Sequence, residues 1–188
     1  MTLTLVRPVL SKRCVGIDRL RGVAISLMIL DHLFIITHAP TFTRLTITRL
    51  AMPLFFLISG HLAKRVSWRL PVIGFIGLLI PAVAIWIDSP NVLFWFAVLA
   101  PIVVLIRDNR VITSLVILFA LTFSTNRYSL GIGSSYDPIG LFAIMCFGTL
   151  IKRESFNVFN RLPAFFGKIG HYPMTIYISH LVILGALT

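Results

Sequence analysis

Two ionisable residues, Asp31 and His32, lie inside an apolar stretch, with residues 27–30 before them and 33–36 after them apolar throughout. A charged group in apolar surroundings costs free energy unless it is paired, so such residues usually act in chemistry or hold two helices together. A neutral imidazole can accept a proton from a hydroxyl or an amine near neutral pH. His32 is therefore a candidate general base, and a purely structural hydrogen-bonded pair is the alternative.

Arg21 lies eleven positions before His32. On a helix, eleven residues turn through about 1100°, roughly 20° more than three full turns, and rise about 16 Å. The two side chains should therefore share one face. A guanidinium at one end of this face and an imidazole at the other suit a ligand with an anionic head and a long reactive arm, such as acyl-CoA. Taken alone, Arg21 would be a simple anchor at the helix rim.

His180 is the second candidate for the same site, because its predicted height in the fold is close to that of His32. Asp31 points about 100° away from His32 on a helix, so it would orient a histidine of another helix rather than its own neighbour. His180 is the predicted partner of Asp31, and together with His32 the three form the predicted catalytic group. The alternative for His180 is an interfacial position at a helix end.

Basic residues on either side of the first two apolar stretches offer contacts for the phosphates of an acyl-CoA donor. Arg19, Lys64 and Arg65 are expected to join Arg21 at one rim. Attraction to anionic lipid explains the same residues equally well. Cys14 and Cys146 lack metal-ligand or redox spacing, and no metal site is predicted.

The elements that would position these residues are apolar helices. The 188-residue chain is 57% hydrophobic and only 12% charged, with a mean hydropathy of +0.95, whereas globular domains have about 25% charged residues. We expect a single all-α domain over residues 1–188, a polytopic membrane helix bundle of about seven transmembrane helices. The predicted spans are residues 22–37, 45–62, 70–87, 91–106, 111–123, 139–151 and 173–188.

The distribution of basic residues predicts the orientation of this bundle. Alternating sides between the spans places 14 of the 17 Lys and Arg residues on the side of the N-terminus, which the positive-inside rule makes cytoplasmic. The net charge of +11 is then a matter of topology, and no nucleic-acid partner is expected. An integral membrane protein is therefore expected, with the lipid bilayer as a partner. Residues 152–168 mix phenylalanines with bases and are expected to lie along the bilayer surface.

Three stretches carry a resemblance to a known group of proteins. Residues 17–32, IDRLRGVAISLMILDH, resemble the first-helix signature of the transmembrane acyltransferases. This signature is an Arg and a His with ten residues between them in acyltransferase family 3, and a Met followed by an Asp-His pair in the TraX-type pilin acetylases. Residues 49–60 resemble the second-helix pattern of these groups. Residues 170–180 resemble their late helix, which ends in Tyr and His. Family 3 members have about ten helices, so seven would place this chain nearer the TraX type.

The resemblance implies an acyltransferase that moves an acyl group, with acetyl as the first expectation, from acyl-CoA to an amine or hydroxyl. A pilin, an envelope glycan or a lipid would be the acceptor, and the resemblance implies localisation in a bacterial inner membrane. His32 would be the general base or a transient acyl carrier, with Asp31 and His180 beside it and Arg21 at the donor. The alternative function is a non-catalytic membrane accessory protein or a small transporter with an Asp-His proton relay.

Overall fold

The computed structural model describes residues 14–37, 50–64, 66, 69–83, 92–129 and 137–185, and within these ranges the chain is helical without strands. Eight α-helices and one 3-10 helix are described. They are α1 (Val15–Ile36), α2 (Ala51–Leu62), α3 (Leu70–Val83), α4 (Val92–Ile106), α5 (Arg110–Ser129), α6 (Pro138–Leu150), the 3-10 helix (Arg153–Arg161), α7 (Ala164–His171) and α8 (Pro173–Gly185).

Each of the seven apolar runs predicted from the sequence lies on one of these helices, so the prediction of an all-helical chain is confirmed for the described residues. The largest difference in position is at α1, which begins at Val15 rather than near residue 22. Arg21 and His32 therefore belong to one continuous helix. The 3-10 helix and α7 fill the stretch between the last two runs, for which no helix was predicted.

The prediction of a polytopic membrane bundle with about seven spans and a cytoplasmic N-terminus is wrong, and the bacterial inner-membrane localisation falls with it. Within the described ranges, no helix combines the length and the apolarity that crossing a bilayer requires. A span needs about 20 apolar residues, whereas α2, α3, α4, α6 and α8 have 12 to 15 residues. Helix α1 has 22 residues, but its sequence includes four charged residues, Asp18, Arg19, Arg21 and Asp31.

The apolar core lies where α1, α2, α4, α6 and α8 meet. Phe56, Met145 and Val103 are completely buried there, and the rings of Phe55 and Phe56 both pack edge-on against Phe96. Burying a side chain of this size contributes about 1.5–3 kcal/mol relative to leaving it in water. This core holds α2 and α4 together beside the first and last described helices.

Glycines let two pairs of helices touch main chain to main chain. A methyl group on Gly22 of α1 would overlap the carbonyl oxygen of Phe166 in α7, and one on Gly170 would overlap that of Asp18 in α1. Gly60 of α2 lies equally close to the main chain of Met145 in α6, and Gly148 of α6 lies equally close to that of Leu57 in α2. Only a residue without Cβ permits such an approach. These positions therefore set the distance between α1 and α7 and the distance between α2 and α6.

The chain reverses direction between α7 and α8 while both helices stay against α1. Gly22 faces Phe166 and Asp18 faces Gly170, so α7 runs antiparallel to α1. The helix is interrupted at Tyr172, whose backbone is outside the helical region, because a residue before proline is pushed away from helical geometry. Pro173 then starts α8, where the missing N–H costs nothing. Helix α8 runs in the same direction as α1, which brings His180 beside His32.

Candidate functional site: a histidine pair between α1 and α8

The centre of the candidate site is a direct contact between two histidines. Nδ1 of His32 lies 2.9 Å from Nε2 of His180. The ring centroids are 5.1 Å apart and the ring planes differ by 19°. The centroid distance exceeds the nitrogen–nitrogen distance by about two radii of an imidazole ring. The rings therefore meet edge to edge and nearly in one plane. This is the geometry of an in-line N–H···N hydrogen bond rather than of face-to-face stacking.

The second nitrogen of His180 determines which ring donates. Nδ1 of His180 lies 3.2 Å from the carbonyl oxygen of Ile176, and a carbonyl only accepts, so this nitrogen carries the hydrogen. In the neutral ring Nε2 of His180 is then the acceptor, and Nδ1 of His32 donates to it. The assignment leaves the lone pair of neutral His32 on its Nε2. A positive charge on the His32 ring would be stabilised by this second imidazole.

Burial keeps His180 in the neutral state that this arrangement requires. Its side chain is buried on α8, and the edge of the Tyr177 ring packs against it with a centroid distance of 5.2 Å. Desolvation lowers the pKa of His180 below 6.5, and its interactions with the backbone at Ile176 and Tyr177 offset this only in part. Near neutral pH, His180 is therefore an acceptor for His32 and not a cation.

The lowered pKa values predict that the fold loses stability on the acid side. Burial also lowers the pKa of His61, whose ring packs against Phe156, with Lys64 and Arg107 acting in the same direction. Above pH 6.5 both histidines are neutral in the folded and unfolded chains. As the pH falls through 6.5, these two histidines bind protons in the unfolded chain but remain neutral in the folded chain. The free energy of unfolding therefore decreases.

Thermal unfolding at about pH 7.5 and about pH 5.5 measures this effect. The melting temperature should be lower at the acid pH, and a His61→Gln/His180→Gln variant should show a smaller difference between the two conditions. An equal pH dependence in the variant would contradict the assignment of the effect to these two residues.

The structure places Asp31 half-buried on α1, next to the histidine pair in sequence. Both ring nitrogens of His180 are engaged, one by His32 and the other by the carbonyl of Ile176. The structure thus shows His32 as a direct partner of His180, and the pairing of Asp31 with His180 stays a prediction. A catalytic role for Asp31 stays a prediction.

Arg19 and Arg21 lie near the start of α1 and both bind backbone carbonyls. Nη1 of Arg19 donates to the carbonyls of Asn160 and Leu162, the latter at 2.7 Å, while its Nε is buried without a hydrogen-bond partner. Nη1 of Arg21 lies 3.3 Å from the carbonyl of Gly170 and 3.6 Å from the carboxylate of Asp18. Cations at these carbonyl-rich helix ends are stabilising. The two arginines therefore tie α1 to the 3-10 helix and α7, and phosphate binding by them stays a prediction.

The face of α1 between Arg21 and His32 is packed against its neighbours. Ile25 and Met28, which lie on this face, are almost completely buried and meet Tyr177 and Met174 of α8. The cavity left among them has a volume of about 10 Å³, which is space for about one water-sized group. A ligand arm that followed this face would have to displace these side chains.

The other predicted residues lie away from the histidine pair. Lys64 is exposed after the end of α2, and Arg65 lies outside the described residues. Burial raises the pKa of Cys146 to about 11, so its thiol is a poor nucleophile at neutral pH. In the described part of the chain, no group of three or more His, Cys, Asp or Glu side chains could hold a metal ion.

Sequence reasoning missed two parts of the site. The carbonyl of Ile176 sets the tautomer, but every helical residue offers a carbonyl four positions earlier, so no signal in the sequence could single it out. Gly170, by contrast, stands directly before His171 in a stretch that the resemblance had already marked, and its lack of a side chain was the available signal for close packing.

The geometry thus defines one site, a part-buried edge-to-edge histidine pair that joins α1 to α8. The resemblance of residues 17–32 to the transmembrane acyltransferases stays a prediction. No protein-family model, curated protein or solved structure matches this chain.

Proposed function

We propose that this chain is an acyltransferase that uses acyl-CoA, acetyl-CoA in the first place, and passes the acyl group to an amine or a hydroxyl. The observation that carries the proposal is the hydrogen bond from Nδ1 of His32 to Nε2 of His180. It leaves the lone pair on Nε2 of His32. The resemblance of residues 17–32 supports the choice of acyl transfer among the reactions that a histidine base can serve.

In the proposed reaction the acceptor O–H or N–H gives its proton to Nε2 of His32 while its oxygen or nitrogen attacks the thioester carbonyl carbon. The C–S bond then breaks, and the coenzyme A thiolate leaves and takes the proton from His32. During the step the His32 ring is cationic. Its Nδ1–H then donates a charge-assisted hydrogen bond to neutral His180, and such bonds are about twice as strong as those between neutral groups.

The donor would bind through its phosphates to cations near the start of α1 and the end of α2. Arg21, Arg19, Lys64 and Arg65 are the proposed contacts, on the resemblance and on their charge. Each guanidinium carries five N–H groups, so one arginine can bind a backbone carbonyl and a phosphate at the same time. A pilin, a glycan or a lipid is the acceptor that the resemblance implies.

The test is acyl transfer by the purified full chain. Radiolabelled acetyl-CoA is supplied with small amines and alcohols, and both label transfer and release of free thiol are followed. We expect thiol release that depends on the acceptor, and an unchanged rate in His171→Ala, which replaces an exposed histidine on α7. Absence of both signals with acetyl-, butyryl- and octanoyl-CoA, in protein with a native helical circular dichroism spectrum, would contradict the proposal.

A non-catalytic role is the second candidate, because the histidine contact also joins two helices. His32 on α1 and His180 on α8 are 148 positions apart in the sequence. In that case the pair would act as a clamp between α1 and α8. The same protein then shows no transfer, while loss of either histidine lowers the melting temperature. A net contribution of about 0.5–1.5 kcal/mol is usual for one such hydrogen bond.

A further inference from the structure

The 3-10 helix and α7 present a surface in which bulky apolar side chains alternate with bases. We call it the basic–apolar face. Its bases are Lys152, Arg153, Arg161 and Lys168, and its exposed apolar residues are Val158, Phe165 and Tyr172. Glu154 is the single acidic residue between positions 152 and 172. The face therefore combines a net positive charge with apolar groups that are open to the surroundings.

Helix geometry aligns the members of this face. A 3-10 helix has three residues per turn, so Val158 and Arg161 lie one above the other. On α7, Phe165 and Lys168 are three residues apart and therefore lie on one face of the helix, and Tyr172 follows directly after the end of the helix. Val158, Phe165 and Tyr172 are 61–63% exposed.

The opposite side of the same segment is fixed to the rest of the fold. Phe156 is buried against α1, and Gly170 lies directly on the main chain of α1. Arg19 holds the end of the 3-10 helix through the carbonyls of Asn160 and Leu162. The segment thus keeps its inner side in the core and its basic–apolar face outward as a preformed surface.

We propose that the basic–apolar face binds an anionic lipid surface, with Phe165 and Val158 entering the headgroup region and the bases contacting lipid phosphates. Apolar side chains at helical spacing beside Lys and Arg are what interfacial binding uses. Basic residues near such a surface each strengthen binding about fivefold. A soluble polyanion would use the bases but would gain nothing from Phe165. This inference concerns a face apart from the histidine pair and does not depend on the proposed function.

The experiment is flotation of the full chain with vesicles of phosphatidylglycerol and phosphatidylcholine mixed, and with vesicles of phosphatidylcholine alone. Binding is expected with the anionic vesicles and should weaken with salt. The double change Arg161→Glu/Lys168→Glu should weaken it at least about tenfold, and Phe165→Ser should also weaken it measurably. Matched controls on another helix are Arg110→Glu and Leu115→Ser, both exposed on α5, which should leave binding unchanged.

Three results would overturn the proposal. One is equal binding to neutral and anionic vesicles. Another is a loss of binding in the α5 controls as large as that in the variants of the face. The third is binding to anionic vesicles that depends on the bases but not on Phe165, together with equally tight binding to heparin, which would make the ligand a soluble polyanion. Circular dichroism of every variant ensures that each result concerns folded protein.

Discussion

Replacing His32 by alanine should reduce acyl transfer by about 10²–10⁴-fold, the usual contribution of a general base. The change removes the Nε2 lone pair that the contact with His180 positions. Fold and donor binding should persist, because His32 is only half-buried on a 22-residue helix. The measurement is the rate of thiol release at saturating acetyl-CoA, with His171→Ala as the control for a histidine elsewhere.

His180 should act as a positioning residue, and two substitutions separate this role from simple packing. His180→Leu removes the acceptor for Nδ1 of His32 and should lower kcat with little change in KM. His180→Gln retains an acceptor oxygen near the position of Nε2 and should recover much of the lost rate. Equal loss of activity in both variants would contradict positioning through the hydrogen bond. Full activity in His32→Ala would contradict the proposed base itself.

Replacing Gly170 by alanine should destabilise the fold by about 3 kcal/mol, at the upper end of the usual cost of overpacking. The added methyl group would overlap the carbonyl oxygen of Asp18, and neither main chain can move without separating α7 from α1. For a chain of this size that loss corresponds to a melting temperature lower by about 6–12 °C. Calorimetry or circular dichroism melting checks it.

Gly167 supplies the matched control, because it lies one turn earlier on the same helix. A methyl group there would be 3.5 Å from Cγ of Arg19, which is ordinary van der Waals contact. Alanine is a better helix former than glycine, so Gly167→Ala should stabilise the chain by roughly 0.5–1 kcal/mol. Opposite signs for the two substitutions support the close crossing. Similar small effects at both positions would mean that α7 does not lie directly on α1.

The helices themselves were predictable from the sequence, whereas their environment was not. Apolar runs bounded by charged residues, proline and glycine predict buried helices both in a membrane and in a protein core. Each of the seven runs lies on a helix. The same runs were interpreted as membrane spans because composition alone does not report helix length. Most of the helices are 12 to 15 residues long, and such a length depends on where neighbouring residues cap or interrupt each one.

Part of the site was also predictable. The spacing of His32 and His180 in two separate helical segments suggested similar heights, and the structure brings the two rings into contact. That His32 faces His180 depends on the rotation of α1 about its axis. Close contacts such as Gly22 on Phe166 set that rotation, and they involve residues far apart in the sequence. Spacing along one helix cannot report such contacts.

The separation of 148 residues between the two histidines has a consequence for synthesis of the protein on the ribosome. Helices α1 and α2 emerge long before α8, and at about 5–20 residues per second the missing partner follows only after roughly 7–30 seconds. During this interval His32, Gly22 and the buried face of α1 have no α7 or α8 to pack against. Such long-range contacts also make folding slow. The nascent chain should therefore depend on chaperones until residue 180 has left the exit tunnel.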